Sequence, residues 1–367
     1  MAMGRTVRSS PVSDQQRRAN IIGLGLIGGS IALALKNRGW RVQGDDQDEA
    51  VVGAATRAGV IDDPGLDSGA EITFVAVPVL SAVDQVKRAL TETVGVVTDV
   101  GSVKAPICEA CDDPRFVGGH PMAGSEFDGL DGAHADLFNG ALWVLTPVAH
   151  SDDATFAKVM SVVKSFGTEV VALEPRRHDR VVAVVSHVPH LTAASLMGLA
   201  SDRADEHAAL LRLAAGGFRD MTRVASGRPE MWLDICHENA PAVVDTLDAL
   251  VGELSALREM VADNRRDDLR RVLDEARVAR TNLPARVVHP EEIAEVRIPI
   301  PDRAGAAAEV FTLAAELGVN IANFEVVHMA ESNHRGVAVV LIDQSMSELF
   351  RGGLIARGFR PAVQALS

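Results

Sequence analysis

Short apolar segments alternate with helical patterns of apolar residues in the first half of the chain. The segments predicted as strands span residues 20–22, 41–44, 72–77, 94–98, 115–117, 142–145 and 169–173. Strands that alternate with amphipathic helices form βαβ units, in which helices cover both faces of a mostly parallel sheet. The pattern therefore predicts a Rossmann-type, doubly wound α/β domain over residues 19–173.

The strand pattern ends beyond residue 173. Long Ala/Leu/Val/Arg segments with helical spacing, such as 240–261 and 265–279, predict an all-helical domain over residues 174–281. Residues 282–291 contain two prolines and are predicted to form a linker.

Residues 292–367 show a third pattern, in the order strand, helix, strand, strand, helix, strand. This order is typical of a ferredoxin-like α+β domain. The predicted segments are 294–300, 304–317, 321–328, 337–342, 345–357 and 361–366.

The composition is that of a globular protein with several domains. The chain has 367 residues, of which 47% are hydrophobic and 23% charged, so it has enough apolar material for more than one core. Its formal net charge is −14, without a cluster of basic residues, so neither nucleic acid nor a membrane surface is an expected partner. Residues 1–18 lack an apolar core, which indicates a disordered leader and not a signal peptide. No run of about 18 apolar residues is found, so no membrane-spanning helix is expected.

The three cysteines, Cys108, Cys111 and Cys236, do not make a disulfide framework, which suits a reducing cytoplasm. Cys108 and Cys111 have the spacing of a redox motif, but the neighbouring Glu109 and Asp112 would raise a thiol pKa. No set of four zinc ligands lies nearby in the sequence. Ordinary helix positions are therefore favoured over a redox role, and no metal site is predicted.

A glycine-rich segment, GLGLIGGS, follows the first predicted strand and opens an apolar helix. In this context Gly23 permits a tight turn, Gly25 lets the backbone approach a pyrophosphate, and Gly28 allows close packing of helix on strand. The helix N-terminus, with the backbone of Leu26 and Ile27, would hold the phosphates.

Two acidic residues, Asp45 and Asp46, follow the next predicted strand at the expected distance. An acid at this place accepts hydrogen bonds from an adenosine ribose and repels a 2′-phosphate, which favours NAD over NADP.

The segment GGHPMAGSE places a histidine, a serine and a carboxylate among glycines, where no helix or strand pattern accounts for them. His120 is the candidate general base, because a histidine pKa near neutrality lets the side chain take a proton from a hydroxyl. Upstream, the segment DVGSVK follows a strand whose carboxyl end should face the cofactor. It contains Ser102, a candidate partner of the histidine or alternatively a helix N-cap, and Lys104, expected on the surface at a helix N-terminus.

With the downstream segments SHVPH and GGFRDMTRVASGRPEMW, these motifs resemble prephenate dehydrogenases from about residue 20 to the C-terminus. The resemblance favours Asp46 as the ribose-binding acid and implies that Ser102 hydrogen-bonds a catalytic His120. The positions that it implies for binding the dicarboxylate substrate are Ser125, Glu126, Ser186, His190 and Arg223. A guanidinium suits this task because it can clamp a carboxylate with two hydrogen bonds.

Other polar residues near these motifs receive structural roles. A metal site at His187 and His190 is disfavoured, because no carboxylate pairs with them at zinc spacing. His187 is expected to pack, Asp179 to support a helix end, and His178 to have no catalytic role.

In the C-terminal segment, the turn PDRAG and the sequence GVNIANFEV resemble an ACT domain, a family that binds amino acids as allosteric effectors. The resemblance implies an aromatic amino acid, tyrosine or phenylalanine, as effector. The alternative is a purely structural oligomerisation module. The implied effector-binding residues are Asp302, Arg303, Ala304, Gly305 and Asn320.

The expected function is NAD-dependent oxidative decarboxylation of prephenate to 4-hydroxyphenylpyruvate by a cytoplasmic homodimer or higher homo-oligomer. Arogenate dehydrogenase is the alternative within the same chemistry. A dehydrogenase of the 6-phosphogluconate type is disfavoured, since its catalytic lysine lies on the helical domain and this chain has no lysine after Lys164. A catalytically inactive amino-acid or NAD sensor is the alternative of another class, and it would predict a loss of His120 or Arg223.

Overall fold

The structure, a computed structural model, describes residues 16–124, 127, 129–204, 216–282, 293–301, 303, 305–328 and 335–365. The chain divides into two compact units, residues 1–265 and 266–367. Residues 266–281, predicted as the end of the helical domain, are grouped with the second unit. Most of the predicted leader and linker, and the candidate site residues Ser125, Glu126, Asp302 and Ala304, lie outside the described residues.

The first unit begins with a five-stranded parallel sheet. Its strands are β1 (Arg18–Ile22), β2 (Arg41–Asp45), β3 (Asp63–Pro64), β4 (Ile72–Val75) and β5 (Val96–Asp99). The strand order β3-β2-β1-β4-β5 reverses direction at β1, and ligands bind at the carboxyl ends of strands beside such a point. All four residues of β4 are buried, as expected for a parallel strand that is covered on both faces. The predicted Rossmann-type sheet is confirmed.

Helices connect these strands and pack on the sheet. They are α1 (Leu26–Lys36), α2 (Glu49–Arg57), α3 (Val79–Glu92), α4 (Ala105–Ala110) and, between two strands of a second sheet, α5 (Asp153–Lys164). The core between α1, α5 and the strands is filled by Ile31, Leu35, Phe74, Trp143 and Val163, all less than 1% exposed.

A second, three-stranded sheet contains β6 (Gly118–Pro121), β7 (Leu142–Thr146) and β8 (Glu169–Ala172). The predicted strand at 115–117 is wrong: Phe116 makes only an isolated bridge to Val97, and the strand begins at Gly118. Glycine and proline are poor strand formers, which hides β6 in the sequence. Here glycine is needed for space, because a Cβ on Gly118 would lie 2.4 Å from Oγ1 of Thr146 on β7.

Beyond β8 the first unit is helical. One continuous helical segment consists of α6 (Pro175–Val182), a π-helical turn (Ala183–His187) and α7 (Val188–Ala204). Pro189 explains the widened turn, since proline lacks an N–H and its ring clashes with the carbonyl group four residues earlier. Such π-turns often occur at functional sites.

Among the described residues, this helix is long and apolar enough over 175–202 to cross a membrane, with a mean hydropathy of 1.4. One such helix is weak evidence for a membrane span, so the expectation that no helix spans a membrane stays a prediction. The helix buries His178, Asp179 and His187, which are 0%, 5% and 1% exposed and hydrogen-bonded inside the unit. The helix therefore carries buried polar groups of a globular unit, although only 33% of its apolar window is buried in one chain.

Further helices begin at Gly216. They are α8 (Gly216–Thr222), a 3₁₀-helix (Arg223–Ser226), α9 (Pro229–Glu238), α10 (Ala240–Ala262) and α11 (Arg266–Thr281). The helical character predicted from the apolar spacing is confirmed.

Besides α11, the second unit contains an antiparallel sheet and two further helices. Its elements are β9 (Ile293–Pro301), α12 (Ala306–Leu317), β10 (Ile321–His328), β11 (Arg335–Asp343), α13 (Ser347–Ala356) and β12 (Ala362–Ala365). The strand order is β10-β11-β9-β12, and all three pairs are antiparallel. Along β9, the buried Val296 and Ile298 flank the exposed Arg297, so one face of the sheet packs on the helices.

Candidate active site

The glycine loop between β1 and α1 has the form that a pyrophosphate requires. Gly23 has φ +92°, and a Cβ on it would lie 2.3 Å from the carbonyl oxygen of Ala76, just after β4. A Cβ on Gly28 would lie 1.8 Å from the carbonyl oxygen of Gly23, so only glycine permits this contact of helix and strand. A Cβ on Gly25, by contrast, would meet no atom within 4 Å, so the space in front of this residue is open.

The N-terminus of α1 is suited to an anion. The first turn of α1 carries no acidic residue, and the cap residue Gly25 leaves the first amides without a side-chain acceptor. The N–H groups of Leu26, Ile27 and Gly28 belong to the first turn, where a helix has no acceptors of its own. The residues present therefore fit the phosphates of a dinucleotide.

Of the two acidic residues at the end of β2, Asp46 faces the glycine loop. Its carboxylate accepts hydrogen bonds from the backbone N–H of Leu24 at 2.8 Å and of Asp48 at 3.0 Å. Asp45 instead pairs with Arg88 on α3, at 2.6 Å. Because the charge of Asp45 is already compensated, Asp46 is the carboxylate available to a ribose bound on the loop.

A buried ion pair holds the backbone just before His120. Lys104, at the start of α4, and Asp99, at the end of β5, are both fully buried and paired. Asp99 accepts a hydrogen bond from the N–H of Gly119 at 3.2 Å, while Nζ of Lys104 donates to the carbonyl oxygen of Gly119 at 2.8 Å. The expectation that Lys104 lies on the surface is therefore wrong. The lysine fixes β6 at the carboxyl edge of the parallel sheet.

His120 lies on β6 and is one member of a chain of hydrogen-bonded side chains. Its Nδ1 is 2.9 Å from Nε2 of His178 on α6, and Nδ1 of His178 is 2.8 Å from Oδ1 of Asp179. Asp179 also accepts hydrogen bonds from the backbone N–H groups of Lys104 and Ala105, both at 2.8 Å. A three-membered chain of side chains thus joins the helical region to the strand that carries the candidate base.

The surroundings of His120 favour its neutral form. Burial lowers the pKa of His120 well below its ordinary value, and the nearby His178, Lys104 and His187 lower it further. A general base must be unprotonated before it acts, so this environment keeps His120 ready to accept a proton.

Ser102 is half-buried in the turn between β5 and α4. Within the described part of the chain, Nδ1 of His120 bonds to His178 and no hydrogen bond joins His120 to Ser102. The hydrogen bond between Ser102 and His120 that the resemblance implies stays a prediction.

A second group of candidate residues surrounds His190 on α7. Its ring stacks on Trp232 of α9, with 3.6 Å between centroids and 12° between planes, and it hydrogen-bonds the backbone of Val224. Burial lowers the pKa of His190. Val224 follows Arg223 in the 3₁₀-helix, so the exposed Arg223 lies at the segment that His190 holds.

The widened turn of the long helix places Ser186 and His187 differently. Ser186 is half-buried, whereas His187 is buried and its Nδ1 lies 3.2 Å from Nδ2 of Asn239. Since that amide nitrogen donates, Nδ1 of His187 accepts, in agreement with a pKa that burial lowers to about 4. The packing role expected for His187 agrees with this geometry.

Among the described residues, no group of three or more His, Cys, Asp or Glu side chains could hold a metal ion. Cys108 and Cys111 are both buried and free, and burial raises the pKa of each thiol to about 11. Thiols with such a pKa are poor nucleophiles at neutral pH.

Two family models and a related protein show which family this chain belongs to. The family model described as "Prephenate dehydrogenase, nucleotide-binding domain" matches residues 31–172. The model "Prephenate dehydrogenase, dimerization domain" matches residues 174–275. A prephenate dehydrogenase of Bacillus subtilis (strain 168) is 34% identical over 328 residues, which cover 85% of this chain and 88% of that protein.

The chain belongs to the prephenate dehydrogenase family.

Solved structures agree with this membership. The prephenate dehydrogenase from A. aeolicus, solved in complex with hydroxyphenyl propionate and NAD+, is 29% identical with a TM-score of 0.69. The match covers 74% of this chain and 100% of that one. The arogenate dehydrogenase of Synechocystis is 29% identical with a TM-score of 0.65, covering 73% of this chain and 100% of its own. By this membership, the chain is an NAD-dependent dehydrogenase.

The sequence analysis did not identify the two residues that connect to His120 through hydrogen bonds, His178 and Asp179. His178 received no catalytic role, and Asp179 was expected only to support the end of its own helical region. The available signal was the pair His178-Asp179 close to the start of α6, since a carboxylate beside a histidine can orient an imidazole. Nothing in the sequence pairs this segment with β6, because the two lie 58 residues apart.

Proposed function

We propose that this enzyme oxidises and decarboxylates prephenate to 4-hydroxyphenylpyruvate with NAD. The observation that carries the proposal is the position of His120. A largely enclosed histidine with a lowered pKa lies at the carboxyl edge of a dinucleotide-binding sheet, where Asp99 of β5 holds its strand. Family membership supplies the class of substrate.

The chain's own residues divide the work as follows. His120 takes the proton of the ring hydroxyl. NAD, when bound, would supply the acceptor for the hydride that leaves the carbon bearing this hydroxyl. Arg223 clamps a carboxylate of the substrate with two charge-assisted hydrogen bonds, and His190, held against Trp232, orients it. Ser186 lines the remaining pocket in this proposal, while the candidate positions Ser125 and Glu126 lie outside the described residues. Loss of carbon dioxide makes the ring aromatic, so the reaction needs no metal.

Arogenate is the second candidate substrate. It carries an amino acid side chain where prephenate carries a keto acid, and the solved arogenate dehydrogenase of Synechocystis aligns with this chain at similar quality. A direct assay compares NADH production from prephenate and from arogenate at matched concentrations. Higher kcat/KM with prephenate supports the proposal. Preference for arogenate overturns the substrate assignment, and no NADH from either overturns the function.

We also propose that the enzyme is a homodimer or a higher homo-oligomer. In one chain, the long helix leaves Val181, Val184 and Val185 more than 40% exposed, and α10 leaves Val251 and Leu254 more than 50% exposed. Apolar surface of this kind usually lies in an interface. The matching family model is itself described as a dimerization domain. A cytoplasmic location is part of the proposal and suits the free cysteines and the use of NAD.

Cofactor choice is expected to depend on Asp46. Asp46→Ser should lower kcat/KM for NAD by roughly 10- to 100-fold, the cost of a lost charged hydrogen bond, and raise relative use of NADP. Asp45→Ser is the matched control, because that carboxylate pairs with Arg88. The measurement is kcat/KM with both cofactors for each variant. Equal use of NAD and NADP by the unaltered enzyme would contradict the assignment.

We further propose that residues 292–367, within the second unit, form an ACT domain that binds an aromatic amino acid. The order β10-β11-β9-β12, with two helices on the sheet, supports a ferredoxin-like fold. The turn before α12 contains Gly305 with φ +86°, and Arg303 in that turn pairs with Glu309 at 2.7 Å. The alignment with the Bacillus subtilis relative covers 85% of this chain, so it must extend beyond residue 275 into this unit.

A depression of about 580 Å³ lies at the start of β10 in this unit. It is lined by Asn320 and by the aromatic rings of Phe311 and Phe324, whose centroids are 4.7 Å apart. An asparagine can satisfy the amino or carboxylate group of an amino acid, and the rings can contact an aromatic side chain. Asn320 and the two rings support an effector role in this proposal, although the described candidates Arg303 and Gly305 do not line the depression.

Replacement of Asn320 is therefore expected to weaken effector binding. Calorimetry should show tyrosine or phenylalanine binding to the full-length protein and at least tenfold weaker binding to Asn320→Ala, the scale of one hydrogen bond to a charged group. Turnover without effector should be equal in both proteins. Absence of binding by either amino acid at millimolar concentration would leave the unit with a structural role alone.

A further inference from the structure

We propose that His178 and Asp179 are positioning residues, which hold the hydrogen of His120 on Nδ1 and leave Nε2 as the nitrogen that accepts the substrate proton. The proposal rests on the function proposed above, since it assigns the atom at which His120 acts. It depends on three contacts: Asp179 to the start of α4, Asp179 to His178, and His178 to His120.

The position of Asp179 is determined by the protein backbone. Its two carboxylate oxygens accept the N–H groups of Lys104 and Ala105, each at 2.8 Å, at the N-terminus of α4. Nδ2 of Asn239 holds the carbonyl oxygen of the same residue, also at 2.8 Å. The carboxylate therefore cannot turn away from His178 without breaking contacts that are buried.

The hydrogen on His178 follows from the acceptor beside it. A carboxylate accepts hydrogen bonds, so Nδ1 of His178, 2.8 Å from Oδ1 of Asp179, carries the hydrogen. In a neutral imidazole the other nitrogen then has only a lone pair. Nε2 of His178 is thus an acceptor, and it is directed at Nδ1 of His120 at 2.9 Å.

The hydrogen on His120 follows in turn. Because Nε2 of His178 accepts, Nδ1 of His120 donates, and the neutral ring of His120 has its lone pair on Nε2. Its lowered pKa agrees with a neutral ring at physiological pH. When Nε2 takes the hydroxyl proton, the resulting cation keeps its Nδ1 hydrogen bond to His178, which becomes charge-assisted and stronger. In this arrangement, the predicted hydrogen bond between Ser102 and His120 would be made at Nε2.

Replacement of His178 tests the assignment. His178→Leu should lower kcat by about 10- to 100-fold and leave KM for prephenate and NAD little changed. Losses of this size follow when a residue that hydrogen-bonds the second nitrogen of a functional histidine is removed. His178→Gln should recover most of the activity, because Oε1 of glutamine can accept the Nδ1 hydrogen of His120. His150→Leu is the matched control and should retain full kcat, because His150 is a partly buried histidine that bonds to the backbone of Cys111.

A second readout reports the hydrogen position directly and does not depend on turnover. Nitrogen NMR of protein labelled with ¹⁵N-histidine, with His120→Asn to assign the signal, should show the Nδ1–H form of His120 in the wild type. His178→Gln should preserve this form, and His178→Leu should lose it. The Nε2–H form in the wild type, or equal kcat losses in the leucine and glutamine variants, would overturn the proposal. If the wild type makes no NADH from either substrate, the proposed function fails, whereas the NMR result still decides the position of the hydrogen.

Discussion

Replacing His120 with asparagine is expected to lower kcat by about 10²-fold or more, the scale of a lost general base, with little change in KM. Asparagine keeps a polar side chain of similar size at the position but cannot accept a proton near neutral pH. The ion pair of Asp99 and Lys104 holds the backbone at Gly119 in both proteins, so the strand itself should be unchanged. Near-full turnover by the variant would remove His120 from the role of base.

The pH dependence of the wild type gives an independent check of the same assignment. Burial, His178, Lys104 and His187 lower the pKa of His120, so the neutral, active form persists to lower pH than in an ordinary histidine. We expect kcat/KM to stay level as pH falls through the ordinary histidine range near ~6.5 and to decline only below it. His150→Asn serves as the control for loss of a histidine whose described partners are Cys111 and Asp112.

Replacing Arg223 with alanine is expected to raise KM for the substrate with a much smaller effect on kcat. The lost interaction is a charge-assisted hydrogen-bond pair worth ~2–4 kcal/mol, or roughly 30- to 1000-fold in KM. The physical reason is that the guanidinium binds a carboxylate that is present in the ground state and the transition state alike. Steady-state kinetics at saturating NAD measure both constants.

Two further variants separate geometry from charge at this position. Arg223→Lys keeps the positive charge but loses the planar pair of donors, so its KM should lie between the wild type and Arg223→Ala. Arg228→Ala removes a neighbouring exposed arginine and should change KM far less. If Arg228→Ala equals Arg223→Ala, the effect comes from local net charge and the clamp at Arg223 is wrong.

Much of the first sheet was predictable because its strands are short, continuous apolar segments. The strand β4 is buried on both faces, so its sequence ITFV carries a clear signal, and β1 and β2 begin or end within two residues of the predicted bounds. By contrast, β6 was not predicted. Its residues GGHP have low strand propensity, and the strand exists because Asp99, Lys104 and β7 hold its backbone.

The candidate site likewise contains residues that the sequence identifies and residues that it does not. The glycine loop and Asp46 are readable from sequence, because each depends on a local backbone shape or on a fixed spacing from it. The burial of Lys104 and the contact of His178 with His120 are not, since they join segments from separate elements. Ser102 is an intermediate case: the sequence marks it as polar and close to the site, but its partner depends on the rotamer and on the bound substrate.

By itself, the sequence determined the order of elements, the NAD-binding loop and the identity of the candidate base. These features depend on residue periodicity, on glycine at positions without room for a Cβ, and on the intrinsic pKa of histidine. Only the tertiary structure decided that Nδ1 of His120 meets His178 and that burial lowers the pKa of the His120 ring. That arrangement depends on contacts within 3 Å between β6, α4 and α6, which chain folding brings together and no local pattern encodes.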